Sequence, residues 1–401
     1  MRKLFLLRGA PGVGKSTLLK ELKVDEYALN SDMYRMALQS PLLTESGEFK
    51  INQMYGRREA WHMLYETLDK RMYNGDFVII DATHSKPSDM MAYRALADKY
   101  RYEIIVVDFS SIPMEVAKER NLMRDEHKQV PEATIEKHYL RFHTSRVPDG
   151  MKIVHYQDAK EAFYLSPVDY SHYKAIHHIG DIHGCYTALM SYLKEGIKED
   201  ELYIFTGDFI DRGIENGEVL EFLFSIMELP NVIFLEGNHE RHLWKWANGE
   251  KAYSLVFEQD TKPELEEYGI NKKEAKRFCR KLKELVYYTY KDKEVLVTHG
   301  GLPVIPKNLH FVSAEQIIRG VGDYKTPIDE IFNTNEKGTN RYQIHGHRNH
   351  GLLPYTPDTQ SFNLEGGVDS GGYLRTITLN NEGFSSLQVK NNVFKQKQEA
   401  G

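Results

Sequence analysis

Cysteine is scarce in this chain: its 401 residues include only Cys185 and Cys279. Two cysteines cannot build the disulfide framework on which small secreted proteins depend, so their number favours a cytoplasmic protein. Long apolar runs are missing as well, which argues against a membrane span. The apolar start, residues 1–7, is too short for a secretory signal and leads directly into a glycine-rich loop, so we expect a buried strand there.

An excess of positive charge is also missing, since the net charge is −6 at pH 7. Nucleic-acid phosphates favour basic surfaces, so this charge argues weakly against such a partner. It does not exclude one, because a local basic patch would be sufficient. The length fits two or three domains, and contents of 41% hydrophobic and 27% charged residues are typical of globular proteins.

Short apolar runs alternate with amphipathic stretches over residues 1–150, which predicts an α/β domain with a parallel sheet and flanking helices. The predicted strands are residues 3–7, 77–80 and 103–108, and the predicted helices are residues 16–22, 56–74, 88–99 and 113–124. Residues 151–174 are polar, aromatic and irregular, so we expect a linker. A second domain is predicted over 175–388, followed by a polar tail over 389–401.

The first domain carries a complete phosphate-binding loop, GAPGVGKS, at residues 9–16. Its glycines allow backbone N–H groups to turn inward around the phosphates of a nucleotide. Lys15 adds a positive charge, and the Ser16 hydroxyl is placed to bind Mg²⁺. The residues predicted to bind nucleotide and Mg²⁺ are Gly9, Gly12, Gly14, Lys15, Ser16, Thr17 and Asp81.

Residues beyond this loop indicate which reaction the nucleotide serves. Asp32 is placed to orient an acceptor hydroxyl and accept its proton, and Arg35, one helical turn later, could clamp a phosphate. Asp81 ends an apolar strand as a Walker B carboxylate does. Arg120 and Arg124 have the spacing of one helix face and could meet the charge of a transferred phosphoryl group. Ordinary alternatives are a helix cap for Asp32, a polar strand end for Asp81, and a solvated helix face for the arginines.

Five short motifs in the second domain each follow a predicted strand, as in α/β folds that build sites at the carboxyl ends of strands. These strands are residues 175–179, 202–206, 232–235, 295–298 and 341–344. The motifs supply six predicted metal ligands: Asp181, His183, Asp208, Asn238, His299 and His347. Such oxygen and nitrogen donors suit two ions of Mn²⁺, Fe or Ni²⁺, with Asp208 as the bridge. Arg212 could grip a phosphate oxygen, and His239 could protonate the leaving oxygen.

Two features of the second domain have alternatives that the sequence leaves open. In the motif HGH at residues 345–347, either His345 or His347 could bind metal. Residues 271–284 form a strongly basic predicted helix between the third and fourth motifs. This helix could receive a nucleic-acid backbone, or it could be an ordinary solvated surface helix.

Together these motifs resemble those of bacterial polynucleotide kinase-phosphatases, over residues 1 to about 385. The resemblance implies a kinase that uses ATP and Mg²⁺ to phosphorylate polynucleotide 5′-hydroxyl ends, with Asp32 as base, Arg35 as phosphate clamp and the two later arginines on a lid. It also implies a two-sheet αββα metallophosphatase domain with a pair of Mn²⁺ or similar ions. That second domain would remove 3′-phosphates in RNA repair.

Two departures from the family pattern qualify this expectation. The ligase module of the longer bacterial members is missing, so we expect a separate ligase to act downstream, on RNA ends in preference to DNA. The Asp-x-Asp-x-Thr phosphatase motif of phage homologues does not occur. Two rival functions share the motifs: a phosphoprotein phosphatase fused to an ATP-binding domain, and a dinucleoside polyphosphate hydrolase with a small-molecule kinase. The sequence also leaves open the identity of the metals and whether 2′,3′-cyclic phosphates are opened.

Overall fold

The computed structural model describes residues 2–52, 56–348 and 359–394. The chain divides into two compact units. The first unit is Met1–Leu165 together with Asn308–Ala314, and the second is Ser166–Lys307 together with Glu315–Gly401. The return of a late segment to the first unit was not indicated by the sequence.

The first unit contains a five-stranded sheet and a short hairpin. Its strands are β1 (Lys3–Arg8), β2 (Ala28–Leu29), β3 (Leu42–Leu43), β4 (Phe49–Lys50), β5 (Val78–Asp81), β6 (Glu103–Asp108) and β7 (Lys152–His155). The sheet order is β2-β5-β1-β6-β7, and every neighbouring pair is parallel. The central strands are almost continuously apolar because both of their faces are buried. The predicted parallel sheet is therefore confirmed.

Where the first unit is described, it contains eight α-helices: α1 (Lys15–Glu21), α2 (Ser31–Leu38), α3 (Arg57–Asn74), α4 (Pro87–Met91), α5 (Arg94–Tyr100), α6 (Met114–Leu122), α7 (Glu132–Thr144) and α8 (Ala159–Phe163). They bury two apolar clusters, one on each face of the sheet. The single helix predicted over 88–99 is instead two short helices. Tyr93 lies at the break, and it is buried with its hydroxyl 3.4 Å from Nε2 of His84.

The predicted linker over 151–174 contains regular structure, so that prediction of an irregular segment is wrong. Strand β7 pairs with β6 at the edge of the first sheet, and Phe163 in α8 is fully buried. An edge strand faces solvent along one side, which accounts for its polar composition. That composition is what made the segment resemble a linker.

Residues 308–314 supply part of the aromatic packing of the first unit. Phe311 stacks on Tyr27 with ring centroids 4.4 Å apart, and it meets Phe77 edge-on at 5.5 Å. The backbone N–H at the end of the segment donates to the carbonyl of Gly75 at 3.0 Å. The first unit therefore depends on residues that come late in the sequence.

The described residues of the second unit form ten strands and seven helices. The strands are β8 (Val168–Asp169), β9 (Ala175–Ile179), β10 (Leu202–Phe205), β11 (Val232–Phe234), β12 (Leu285–Tyr290), β13 (Lys293–Thr298), β14 (Arg341–His345), β15 (Ser361–Asn363), β16 (Tyr373–Asn380) and β17 (Gly383–Lys390). The helices are α9 (Tyr186–Tyr192), α10 (Asn216–Ile226), α11 (Glu240–Ala247), α12 (Lys262–Tyr268), α13 (Lys272–Lys281), α14 (Ala314–Arg319) and α15 (Ile328–Asn335).

These strands form two mixed sheets, ordered β11-β10-β9-β16-β17 and β15-β14-β13-β12-β8. An apolar cluster joins the sheets, with Ile204 and Leu379 from one and Val297 and Ile344 from the other. A second cluster packs α10 and α13 on the opposite face of the first of these sheets. The predicted α/β class and two-sheet metallophosphatase fold are confirmed.

The predicted tail over 389–401 is partly structured. Strand β17 runs to Lys390, and Asn391 is buried, with its side-chain amide donating to the carbonyl of Val368 at 2.8 Å. Residues 395–401 lie outside the described residues. Among the helices that the structure describes, none combines the length and the apolar character that crossing a membrane requires.

Candidate active sites

The phosphate-binding loop of the first unit has the backbone that its glycines permit. Gly12 and Gly14 have φ angles of 87° and 91°, a region that favours glycine. A Cβ on Gly12 would lie 2.1 Å from the carbonyl oxygen of Ala117, so a side chain there cannot be accommodated without movement of the backbone. The loop lies between β1 and α1, which is the context that the motif requires.

Lys15 is buried in this loop, and its ammonium donates to the carbonyls of Gly9 and Ala10 at 2.8 and 3.0 Å. Burial lowers the pKa of Lys15 to about 8, the nearby carboxylate of Asp81 raises it, and the charge of Arg124 lowers it further. The charges of Asp81 and Arg124 therefore both act on the Lys15 ammonium.

Ser16 and Asp81 meet at the end of β5, where the serine hydroxyl donates to the carboxylate at 2.7 Å. A hydroxyl beside a carboxylate at this position is the pair with which P-loop enzymes hold Mg²⁺. Thr17 lies next to this pair in α1 and is exposed. The structure thus brings together the residues that we predicted to bind nucleotide.

Asp32 and Arg35 lie in the first turns of α2. The guanidinium of Arg35 donates to the Asp32 carboxylate at 2.6 Å and to the Ser31 hydroxyl at 2.8 Å. Arg35 is buried, whereas the Asp32 side chain is 43% exposed. The helix cap is Asn30, whose side chain accepts from the backbone of Met33 at 2.8 Å. Asp32 is therefore not needed as the cap and remains available for chemistry.

Arg120 and Arg124 both lie close to the phosphate-binding loop. Arg120 lies within α6 and donates to the carbonyl of Val13 at 3.4 Å. Helix α6 ends at Leu122, so the expectation that both arginines share one helix face is wrong. Burial lowers the pKa of Arg124, while the carboxylates of Asp32 and Asp81 oppose that change. The charges of Asp32 and Asp81 thus both act on Arg124.

Sequence reasoning missed several polar side chains around this site. His84 is buried, its Nδ1 lies 2.7 Å from the carbonyl of Leu7, and its φ is 41°. On α7, burial lowers the pKa of His138 to about 4, and the charges of Arg141 and Lys15 lower it further. The Arg141 guanidinium donates to the hydroxyl of Ser85 at 3.4 Å. His84 follows the strand end at Asp81 by three residues, so the rule that site residues follow strands could have found it. No such pattern marks the residues of α7.

The candidate site of the second unit is buried and is formed by loops in unusual backbone conformations. Each predicted strand before a motif is present within one or two residues of its predicted bounds, as β9, β10, β11, β13 and β14. Five site residues have positive φ angles: His183 (45°), Asp208 (51°), Asp211 (74°), Arg212 (73°) and His347 (66°). Such conformations persist only where the surrounding structure enforces them, and they concentrate at functional sites.

Asp208 lies at the centre of this site. Its Oδ2 lies 3.2 Å from Nε2 of His299, 3.7 Å from Nε2 of His183 and 3.9 Å from Nε2 of His239. Burial opposes ionisation of Asp208, but the imidazoles of His299 and His239 outweigh burial and hold its pKa well below the usual range. A carboxylate that stays ionised among three imidazoles can bridge cations.

Asp181 provides the test of whether a metal fits. Its Oδ2 accepts from the backbone of His347 at 2.9 Å, but its buried Oδ1 has no hydrogen-bond partner among the described residues. Burial raises the pKa of Asp181, and the nearby Glu365 raises it further. An unpartnered buried carboxylate is costly, so a cation beside it would offset that cost.

Among the described residues, three groups of side chains could hold an ion, each with ligand atoms within 4.8 Å of one another. They are His183, Asp208 and His239; Asp208, His299 and His347; and Asp181, His183 and Glu365. Asp208 belongs to two groups, which suits the bridging position predicted for it. Glu365 was missed, although it follows β15 just as the predicted ligands follow their strands. The sixth predicted ligand, Asn238, has its Oδ1 3.4 Å from Nε2 of His299.

His239 is held by a buried carboxylate. Its Nδ1 lies 2.6 Å from Oδ2 of Asp211, and the other oxygen of Asp211 accepts from the Thr261 hydroxyl at 2.5 Å. Burial lowers the pKa of His239, but Asp208 and Asp211 outweigh it and raise the pKa above its usual value. An imidazole that keeps its proton is suited to donating it to a leaving oxygen. Arg212 lies beside this pair, with its guanidinium 3.2 Å from Nε2 of His183.

Glu240 fixes the loop that carries Asp208. Its buried carboxylate accepts from the backbone N–H groups of Asp208, Phe209 and Gly237 at 2.9, 2.9 and 2.7 Å. Burial raises the pKa of Glu240 to about 7, and the charge of Asp208 contributes to this rise. Glu240 directly follows His239 in the sequence, but the sequence alone assigned it no role.

The alternatives in HGH are distinguished by their partners. Both ring nitrogens of His345 are engaged, Nε2 at 2.9 Å from Asp329 and Nδ1 at 3.0 Å from the carbonyl of Gly346. His345 belongs to none of the three candidate groups, whereas His347 does. The structure therefore favours His347 over His345 as the candidate ligand.

Family models match both units. A model for calcineurin-like phosphoesterases matches residues 174–375, about half of the chain, and a model described as an AAA domain matches residues 4–145. Calcineurin-like phosphoesterases bind divalent metals, and the buried histidine and aspartate cluster lies within the matched range.

Individual relatives share about a third of the chain. A bis(5′-nucleosyl)-tetraphosphatase from Bacillus subtilis is 32% identical over 139 residues, which are 31% of this chain and 56% of that protein. The mouse serine/threonine-protein phosphatase with EF-hands 2 is 35% identical over 131 residues, which are 31% of this chain and 16% of that protein. The chain thus spans about half of the Bacillus relative's length and much less of the mouse protein.

A protein serine/threonine phosphatase structure from Saccharomyces cerevisiae covers 58% of this chain and 85% of its own. Its sequence identity is 16% and its TM-score is 0.41, which is too low to support an argument. The match of the phosphoesterase model to half of the sequence is the stronger finding, and it includes all five strand-end motifs. On that ground the chain belongs to the calcineurin-like phosphoesterase family.

Proposed function

We propose that the chain is a bifunctional enzyme of nucleic-acid ends. Its first unit transfers phosphate from ATP to a polynucleotide 5′-hydroxyl with Mg²⁺, and its second unit removes a 3′-phosphate with Mn²⁺ or a similar ion. One observation carries the proposal: the Asp32 side chain is 43% exposed, and its carboxylate accepts from the buried Arg35 on a helix of the same unit as the P-loop. An accessible carboxylate in a P-loop unit is what an acceptor hydroxyl needs to be oriented and deprotonated.

In the kinase reaction, the side chains position charge around two substrates. Lys15 and the backbone of the loop hold the nucleotide phosphates, and Arg124 faces the group in transit. Asp32 accepts the proton of the attacking hydroxyl. Arg35 is fixed by its pairing with Asp32 and by Ser31, so it can hold a phosphate of the acceptor strand.

In the phosphatase reaction, Arg212 holds a phosphate oxygen and His239 donates a proton to the leaving 3′-oxygen. Asp211 fixes the tautomer and the direction of that imidazole, since its carboxylate accepts from Nδ1 and leaves Nε2 to face the site. The ions, when bound, stabilise negative charge on the phosphate and activate water. We assign their binding to Asp181, His183, Asp208, Asn238, His299 and His347.

A second candidate function is hydrolysis of dinucleoside polyphosphates. It is favoured by the similarity to the Bacillus subtilis bis(5′-nucleosyl)-tetraphosphatase. That candidate pairs the hydrolase with a small-molecule kinase, for which Arg35 would have no strand phosphate to hold. For this reason we rank it second.

The test compares substrates on the wild-type protein with Mn²⁺ present. The kcat/KM values would be measured for a single-stranded oligonucleotide 3′-phosphate, a phosphopeptide and a dinucleoside tetraphosphate. We expect the oligonucleotide to be preferred by at least tenfold. Labelled phosphate should also pass from ATP to a 5′-hydroxyl oligonucleotide and not to a small alcohol. Preference for the phosphopeptide or for the dinucleotide would reject the proposal.

A further inference from the structure

A group of basic and aromatic side chains extends from α11 through the following loop to α13. We call it the basic–aromatic face and define it by six residues: Trp244, Lys245, Lys251, Tyr253, Lys272 and Lys276. The sequence singled out the basic helix over residues 271–284 but left its role open. The structure adds the aromatic partners of that helix, which the sequence did not reveal.

Each lysine of the basic–aromatic face lies over an aromatic ring. The ammonium of Lys276 is 5.7 Å from the ring centroid of Trp244, and that of Lys272 is 4.9 Å from the ring of Trp246, which is buried beneath the face and is not part of it. Lys245 and Lys251 flank Tyr253 at 5.0 and 5.8 Å. Rings interleaved with ammonium groups are the arrangement with which proteins bind single-stranded nucleic acid.

These lysines differ from the other basic residues of α13. Arg277 and Lys281 both form ion pairs with Glu228, at 2.5 and 2.6 Å. Within the described part of the chain, none of the four lysines of the face has a carboxylate within ion-pair distance. Their charges are therefore available to external phosphates, while the other side of the helix is an ordinary solvated surface.

Tyr253 is held in a conformation that its side chain does not favour. Its φ is 59°, in the left-handed region, and its side chain is 79% exposed. A bulky residue in this region is a rare outlier. Since the ring buries little surface of its own, packing does not explain why an aromatic residue stands there. Strain of this kind is typical of binding positions.

The face begins near the proposed proton donor. The rings of His239 and His242 are 6.0 Å apart, and Nδ1 of His242 lies 3.1 Å from the carbonyl of Ala252. Ala252 directly precedes Tyr253. A strand that presents its terminal phosphate to His239 would therefore have its next nucleotides close to Tyr253.

We infer that the basic–aromatic face binds the single-stranded polynucleotide that precedes the 3′-phosphate, with a base stacked on Tyr253 and phosphates beside Lys245 and Lys251. The inference rests on the proposed function of the second unit and specifies its substrate as a strand longer than one nucleotide. Stacking tolerates any base, so the face selects for strand length and not for sequence.

The experiment uses the full-length protein and two phosphatase substrates, an oligonucleotide 3′-phosphate of about ten nucleotides, within the length that such surfaces bind, and a nucleoside 3′-phosphate. The variants are Tyr253→Asn, which suits a positive φ, and the double variant Lys245→Ala/Lys251→Ala. The matched controls are Tyr373→Ala and Lys390→Ala, because this tyrosine and lysine form a similar pair, 4.8 Å apart, elsewhere in the second unit.

We expect Tyr253→Asn to lower kcat/KM for the oligonucleotide by about tenfold and to leave the nucleoside 3′-phosphate unchanged. The double variant should reduce the slope of log kcat/KM against log salt by about 1.4, the value for two phosphate contacts on a single strand. The controls should match wild type. Equal losses on both substrates, or no loss on the oligonucleotide, would overturn the inference and leave the proposed function standing.

If wild type does not hydrolyse either 3′-phosphate, the proposed function fails, and binding tests the inference separately. Anisotropy of a labelled oligonucleotide should then still weaken in the Tyr253 and lysine variants relative to the controls. Unchanged binding would reject the face as a nucleic-acid surface. If the Tyr253 and lysine variants lose only phosphopeptide hydrolysis, the basic–aromatic face binds a peptide, and the inference is also overturned.

Discussion

The two candidate sites place their charges at different depths. In the first unit, one contiguous loop supplies backbone amides, and the acidic side chain proposed as base, Asp32, is 43% exposed. In the second unit, seven side chains from six separate loops converge, and Asp208 and His299 are completely or almost completely buried. Five residues other than glycine have positive φ angles in the second site, whereas in the described part of the first site such angles occur at Gly12, Gly14 and His84.

This difference is what the two proposed reactions would require. A kinase must admit a nucleotide and an acceptor, so its proposed base, Asp32, has to remain accessible before both substrates are bound. A hydrolase that uses bound ions needs ligands fixed before the substrate arrives, and burial with strained backbone provides that rigidity. We therefore expect substitutions in the second site to act by displacing neighbouring side chains. Substitutions in the first site should act by removing the functional group itself.

The largest expected effect is that of Asp32→Asn on the kinase. Loss of the proton acceptor should lower kcat by about a thousandfold, while ATP binding stays within about twofold of wild type, because the carboxylate contacts the acceptor and not the nucleotide. The exposed Asp25 provides the control, as Asp25→Asn should have no effect. Kinase activity near wild type in Asp32→Asn would show that the exposed acid is not the base.

Next in size is Asp211→Asn in the phosphatase site. The amide can no longer fix the protonated imidazole of His239, so kcat should fall by about a hundredfold with little change in KM. Thr261→Val, which removes only the hydroxyl that supports Asp211, should cost less. These two variants test whether Asp211 orients the imidazole of His239. A rise in KM as large as the fall in kcat would indicate that Asp211 contributes to substrate binding instead.

A smaller effect is expected from Phe311→Ala, which tests the return of residues 308–314 to the first unit. Because Phe311 is only half-buried, its removal should destabilise that unit by about 2 kcal/mol. After mild heating, kinase activity should be lost before phosphatase activity. Phe384→Ala, which removes a half-buried ring beside Phe362 in the second unit, should produce the reverse order. Simultaneous loss of both activities in each variant would contradict the division into two units.

The sequence was sufficient for those parts of the molecule that depend on local pattern. The P-loop, the apolar strands and the polar residues that follow them are each encoded by a few neighbouring residues, so β1, β6 and β9 were predicted within one residue. The rule that site residues follow the carboxyl ends of strands also predicted that Asp181, Asp208 and His299 lie in one region.

What the sequence could not predict depends on contacts between distant residues. Segment 308–314 joins the first unit through aromatic stacking on Tyr27, which leaves no periodic signal in either stretch. The roles of Asp211 and Glu240 depend on hydrogen bonds that form only after the loops fold. Edge strand β7 was mistaken for a linker, because one exposed side makes its composition polar.

The last expected effect concerns acid stability. It is the smallest of the effects near neutral pH, and it also separates the units. Burial lowers the pKa of His84 in the first unit to about 4 and that of His178 in the second to about 3. Unfolded histidine has a pKa near 6.5, so the unfolded chain takes up protons first, and stability falls as pH drops below about 6.5. At pH 5 each histidine should cost up to about 2 kcal/mol.

Urea unfolding at several pH values would measure this dependence. The contribution of His84 should level off below about pH 4, whereas that of His178 should continue toward pH 3. Replacement of either histidine by glutamine should remove its share of the acid sensitivity. An unchanged pH dependence in His178→Gln would mean that this imidazole is not buried in its neutral form.

The most direct test of the central claim is to assay both reactions on one oligonucleotide that carries a 5′-hydroxyl and a 3′-phosphate. Lys15→Ala should abolish labelled transfer from ATP and leave 3′-phosphate release intact, because its charge serves only the first site. Asp208→Asn should abolish release and leave transfer intact. The account predicts this crossed pattern. Loss of both reactions in either variant, or the absence of either reaction in wild type, would contradict it.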